Sequence, residues 1–170
     1  MILRLSQKLK TKIKAGALPV IPLEDNPFAD WSAHVFVADR TQYIFLCNTT
    51  TLYSTVLPGK GITRASHFIE GVLHAIRQVL HDAGMEFVYD RFIAPESDTV
   101  RFAKALNRTV TGSMNEQINN AVCCLTAREL SLQDVRLRLN DILLSAVATP
   151  TRSYGTPQDA FMNLVQSMPP

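Results

Sequence analysis

Cysteine is scarce in this chain: Cys47, Cys123 and Cys124 are the three among 170 residues, and two of them are adjacent. An odd count at that spacing excludes a fully paired disulfide framework and a tetrahedral zinc site, and it points to a reducing cytoplasm. Long apolar runs are missing too. Nothing approaches the roughly 18 residues that a membrane span needs, and Met1-Ile-Leu-Arg-Leu leads into lysines instead of a signal-peptide core. Neither secretion nor membrane insertion is expected. Glycine is thin, at 7 residues, and no glycine-rich phosphate loop is present: there is no G-x-G-x-x-G and no G-x-x-x-x-G-K-[ST]. H-E-x-x-H and G-x-S-x-G are equally absent, so dinucleotide, P-loop, zincin and hydrolase-elbow chemistry have no support and no cofactor is expected.

A strong charge of one sign is also lacking. Seventeen Lys+Arg against 15 Asp+Glu leave +2, far from the balance of a nucleic-acid coat protein. The small total hides an asymmetry. Residues 1–14 hold Arg4, Lys8, Lys10, Lys12 and Lys14 with no acid, so the remainder carries −3.

What is present reads as an ordinary folded chain, 46% hydrophobic and 19% charged. A single domain over residues 1–170 is expected. Ile2 to Leu5 reads as a short strand, and Ser6 to Ala15 as a helix turning Leu5, Leu9 and Ile13 inward, stopped by Gly16. Ala17 to Asn26, with Pro19 and Pro22, is an extended connection. Ala33 to Ala38, Tyr43 to Asn48 and Leu52 to Leu57 are β-branched and aromatic runs joined by polar turns, an antiparallel meander. A helix follows from about Arg64 to Ala83, capped by Thr63 or Ser66 and closed by Gly84. Glu86 to Ile93 reads as a strand and Pro95 to Leu106 as a short helix. Three helix starts come next: a capping box at Ser113-Met-Asn-Glu116, a run that resembles one at Ser131-Leu-Gln-Asp134, and Thr156-Pro157 with proline at the first helical position. Strands early and helices late, without βαβ alternation, predict an α+β fold: an antiparallel sheet from the N-terminal half packed on helices mainly from the C-terminal half.

Several residues could carry chemistry. His67, His74 and His81 recur at seven-residue spacing on the long helix, but i and i+7 lie about 10 Å apart, too far to share one ion. The helical wheel sets them opposite Ile69, Val72, Leu73, Ile76 and Leu80, so a solvent-facing, metal-free stripe is expected. Cys123-Cys124 sits in an apolar stretch with no base nearby and reads as packing material. Trp31 reads as a core anchor. On the first helix, Lys8 and Lys12, and Lys10 and Lys14, stand at i, i+4. They form a basic face suited to phosphates, or simply a solvated one.

Asn26-Pro27-Phe28-Ala29-Asp30-Trp31-Ser32-Ala33, then Arg40, Asn48 and Thr51-Leu52-Tyr53, and later Asn107-Arg108-Thr109-Val110-Thr111-Gly112-Ser113-Met114-Asn115, carry a resemblance. The chain resembles a domain-of-unknown-function family of small bacterial and phage- or plasmid-associated proteins, marked by an N-P-x-x-D-W-x-A block and an R-x-V-x-G-S-M-N block. The resemblance runs to about Leu164; Asp141 to Thr149 departs from the pattern. It implies no reaction and no cofactor. It singles out Asp30, Arg40, Asn48, Asn107, Arg108, Ser113 and Asn115 as polar residues without an obvious core duty.

Three functions stay open. The first is a non-enzymatic binding protein of a mobile-element or regulatory system. It would take nucleic acid through Lys8, Lys10, Lys12 and Lys14, or a phosphorylated ligand in an anion-friendly pocket of Arg40, Asn48, Arg108, Ser113 and Asn115 at the start of a helix. The second is an antitoxin-like or adaptor protein binding another protein. The third is a small enzyme with an unrecognised polar site. Oligomeric state is left open.

Overall fold

A computed structural model describes residues 1–127 and 130–168. The class is α+β, built on one five-stranded sheet of order β4-β3-β2-β1-β5. Its strands are β1 (Ile2–Leu5), β2 (Asp30–Ala38), β3 (Thr41–Asn48), β4 (Ser54–Pro58) and β5 (Arg101–Lys104). The expected meander is β2-β3-β4, paired antiparallel. The sheet is nonetheless mixed, because β1 lies parallel to both β2 and β5. At the β2–β3 turn Asp39 and Arg40 both take positive φ, 43° and 61°, as the two-residue hairpin that matches strand twist requires.

Helices cover both faces. On one side stand α1 (Gln7–Lys12), α2 (Ala65–Asp82) and α6 (Pro157–Gln166). There Leu9, Phe68, Val72, Ile76, Leu80 and Phe161 pack on Leu3, Leu5, Trp31, Ala33, Leu46 and Leu57. On the other side α4 (Arg108–Ala127) and α5 (Leu132–Asp141) set Val110, Met114, Ile118, Val135 and Leu139 on Phe36, Phe45, Cys47 and Val56. Neighbouring strand residues point to opposite faces, so β3 buries Ile44, Phe45, Leu46 and Cys47 in succession, as a strand covered on both sides must.

Several expectations are corrected. Glu86 to Ile93 is no strand. It forms α3 (Glu86–Val88) and a π-helical turn, Tyr89–Ile93, whose five-residue step buries Val88 and Ile93 and leaves Phe87 exposed. Pro95 to Leu106 is no helix. A short 3-10 turn, Ala94–Glu96, leads into β5, because β1 offers it a free parallel edge and the Met1 ammonium binds the carbonyls of Glu96 and Thr99 at 2.9 and 3.0 Å. α1 ends at Lys12, with Lys14 at φ 56° making the turn ahead of Gly16. Arg64 holds the N-cap position of α2 without a side-chain cap, in place of Thr63 or Ser66. The capping box at Ser131 and the Thr156 cap form as read. Cys123 lies exposed on α4 and only Cys124 is partly buried.

Candidate functional site

The N-P-x-x-D-W-x-A block is a buried knot. Asp30 and Arg4 are both almost wholly buried, and the Arg4 fork donates Nε and Nη2 to the two Asp30 oxygens at 2.8 and 2.7 Å. Its remaining N–H groups go to the carbonyls of Ile21, Pro22 and Lys104 at 2.9, 2.7 and 3.4 Å. A guanidinium suits this place because its planar fork satisfies a carboxylate and still reaches backbone. The Arg4 side chain thereby binds the extended connection and the end of β5 to the sheet. Trp31 is buried as a core anchor, its Nε1 donating to the Phe28 carbonyl at 2.7 Å.

Asn48 belongs to the same knot. Its Oδ1 accepts from the Thr50 and Thr51 N–H groups at 3.2 and 3.0 Å, and its Nδ2 donates to the Pro27 carbonyl at 2.7 Å. It is wholly buried and shapes the turn after β3. Arg40 is exposed in the hairpin turn at the other end of β3, roughly 25 Å away at the strand rise. Arg108 is exposed in the first turn of α4. Ser113 does not start a helix. The Val110 N–H is capped by Asn107 Oδ1 at 2.9 Å, and Ser113 is buried within α4. Helix begins earlier because Val110, Met114, Ile118 and Ala121 form one stripe facing the second core. Arg40, Asn48, Arg108 and Ser113 are therefore not brought together as one pocket.

A different cleft is formed. Parallel strands β1 and β5 end side by side at Leu5 and Lys104, and the chain leaves β1 directly into α1. Crevices outside the carboxyl ends of parallel strands are where α/β sheets hold ligands. Here the crevice has a volume of about 470 Å³ between α1 and α4. Ser6 and Lys10 line it from α1 and its cap, Ser32 and His34 from β2, Lys104 from β5, and Thr111, Met114 and Asn115 from α4. Arg4, already neutralised by Asp30, lies at its floor, and no carboxylate lines it. Burial, and secondly the charge of Lys8, lower the His34 pKa from its ordinary value, so at neutral pH its ring offers one donor and one acceptor. Of the residues singled out by sequence, Lys10 and Asn115 meet in this cleft; Lys8 and Lys12 face a separate groove along β2, and Lys14 is exposed beyond the helix.

Sequence reasoning missed Lys104, His34, Thr111 and Ser6. The usable signal was that Ile2 to Leu5 is apolar at every position but Arg4, which suits a strand covered on both faces, the pattern of strands inside a parallel sheet. Elsewhere, His67, His74 and His81 are exposed on α2, and among the described residues no three His, Cys, Asp or Glu side chains cluster as a metal site requires.

A family model described as Domain of unknown function (DUF6933) matches residues 2–160. The chain belongs to this family. Both sequence blocks and every residue lining the cleft lie inside the DUF6933 match. Part of the chain is also similar to aromatic amino acid aminotransferases. That of Mycolicibacterium vanbaalenii is 37% identical over 84 residues, covering 49% of this chain and 23% of the relative. That of Mycobacterium tuberculosis strain H37Rv is 32% identical over 97 residues, covering 56% and 26%. The chain thus spans about a quarter of the length of these curated relatives. No solved structure matches the DUF6933 chain.

Proposed function

We propose that this protein is a non-enzymatic binding protein of a regulatory system, and that the cleft at the carboxyl ends of β1 and β5 takes a small phosphorylated ligand. The observation that carries the reading is the composition of the cleft wall: two lysines, hydroxyls and amides converge without a carboxylate. Lys10 and Lys104 supply charge, the Asn115 amide supplies a directed hydrogen bond, and the Ser6 hydroxyl, which only accepts from the Leu9 N–H, keeps its proton to donate. The Thr111 hydroxyl donates to the Asn107 carbonyl at 2.9 Å and lines the wall. The volume suits a nucleotide-sized molecule. Binding is favoured over catalysis because the hydroxyls here are already engaged: Ser32 Oγ shares a hydrogen bond with Thr49 Oγ1 at 2.9 Å, and Ser6 Oγ accepts from the Leu9 N–H at 3.3 Å. Neither is paired with a base that would activate it.

Nucleic acid is the less favoured anion. The lysines of α1 do not form one face: Lys10 enters the cleft, Lys12 donates to Gln42 Oε1 at 2.7 Å beside β2, and Lys14 follows the helix in a left-handed turn. A phosphate backbone needs such charges in a row.

Thermal denaturation with adenosine triphosphate and with inorganic pyrophosphate tests the reading. The expected result is a rise in Tm that saturates with ligand and largely disappears in Lys104→Gln and Asn115→Ala. No shift at millimolar concentration, or an equal shift in both variants, overturns it. Retention on a DNA column that falls steeply with salt would return the assignment to nucleic acid.

A further inference from the structure

β2 is longer than its parallel partner. β1 pairs with it only from Asp30 to Ala33, whereas β2 runs on to Ala38. The Ser6 N–H donates to the Ala33 carbonyl at 3.0 Å and closes that ladder. Since backbone groups alternate sides along a strand, the N–H and C=O of Val35 and Val37 face the same way as those of Ala33, away from β3. No strand pairs with them among the described residues. This leaves a short run of unpaired ladder in the middle of the sheet.

The outer strands are treated differently. On β4 the Asn140 amide mimics a neighbouring strand: its Nδ2 donates to the Ser54 carbonyl at 2.9 Å while its Oδ1 accepts the Ser54 N–H at 2.7 Å. The Arg136 guanidinium covers the Val56 carbonyl at 3.2 and 3.1 Å. On β5 the Lys104 N–H donates to the Pro19 carbonyl at 3.0 Å. These contacts cover both ladder groups of Ser54, the Val56 carbonyl and the Lys104 N–H, and edges covered in part recruit other chains less readily. Beside Val35 and Val37 there is instead a groove of about 660 Å³, walled on its far side by Lys8, Thr11 and Lys12 of α1. No carboxylate lines it, and Val37 is 55% exposed.

We propose that the free edge of β2 over residues 34–37 docks an extended acidic peptide segment of a partner protein, added as a strand in line with β1 and held by Lys8 and Lys12. Alternating donors and acceptors match a peptide backbone and not a phosphodiester chain, and side-chain charge then selects the sequence. A second copy of this chain is the wrong occupant. Two-fold pairing of β2 with itself would set Lys8 and Lys12 against their own copies, and like charges across a pair are destabilising. The site is separate from the phosphate cleft, from which His34 divides it.

Fluorescence anisotropy with a labelled hexapeptide of alternating Glu and Val tests the proposal. Saturable binding is expected, falling at least tenfold for the same peptide N-methylated at alternate residues and for the double variant Lys8→Glu, Lys12→Glu. Val37→Pro removes an outward N–H without touching the β3 ladder, and proline is tolerated at strand edges. It is expected to keep its Tm and lose the peptide; should it fail to fold, the N-methylated peptide decides with the unaltered protein. Equal binding of an alternating Lys and Val peptide, equal binding of the N-methylated peptide, or no binding at millimolar concentration overturns the proposal. So does a dimer in sedimentation that Val37→Pro dissociates, which would assign the edge to a second copy.

Discussion

Arg4 and Asp30 form a buried ion pair on which the cleft floor depends. Removing one partner of such a pair leaves the other charge desolvated, at about 3–5 kcal/mol. Asp30→Asn is therefore expected to lower the urea midpoint by that equivalent, and a change under about 1 kcal/mol would contradict the assignment. His34 is the second residue with a measurable signature. Its folded pKa lies below the ordinary value of 6.5, first through burial and then through Lys8, so the unfolded chain binds the proton more readily. The sign follows: His34 favours the folded state above about pH 6.5, and that advantage is lost as pH falls through the folded pKa. A phosphate in the cleft favours the imidazolium, so the NMR titration midpoint of His34 should sit below 6.5 in the free protein and rise with pyrophosphate. An unmoved midpoint would place the anion elsewhere.

Among the elements, those that could be read ahead were the ones whose signals are local. The β2-β3-β4 meander, the body of α2, the Ser131 box and the Thr156 cap rest on alternation, wheel periodicity and side chains that bond within three residues. β5 was illegible because Arg101 to Lys104 becomes a strand through pairing with β1, about a hundred residues earlier in the chain. The π turn at Tyr89–Ile93 reads as a strand because Phe87, Val88, Tyr89, Phe92 and Ile93 are aromatic and β-branched residues that strands favour, a composition that says nothing of the helical turn they make. The start of α4 was displaced because Ser113-x-x-Glu116 matches a capping box while the apolar stripe begins at Val110. Asn107→Ala should accordingly cost about 1 kcal/mol in urea denaturation, the typical worth of an N-cap, with Ser113→Gly costing α4 the usual glycine penalty and no cap. Capping at Ser113 would instead make Ser113→Gly nearly neutral. The candidate site was legible only in fragments: Lys10 and Asn115 stood out by charge and by block, but their meeting with Lys104 depends on where two parallel strands end.

At the scale of the molecule, one sheet separates two apolar layers, and its three parallel-oriented strands, β5, β1 and β2, open between α1 and α4. The rigid parts are the Arg4–Asp30 knot below and the packed α4 stripe beside the opening, which suits a site that must hold lysines in fixed directions. The most direct test of that reading is a pyrophosphate titration followed residue by residue in the amide spectrum of the labelled full chain. Saturating shifts are expected to converge on Ser6, Lys10, His34, Lys104, Thr111 and Asn115. Shifts centred instead on Arg40, Arg108 or Lys14, or the absence of any saturating shift, would contradict the cleft as the ligand site.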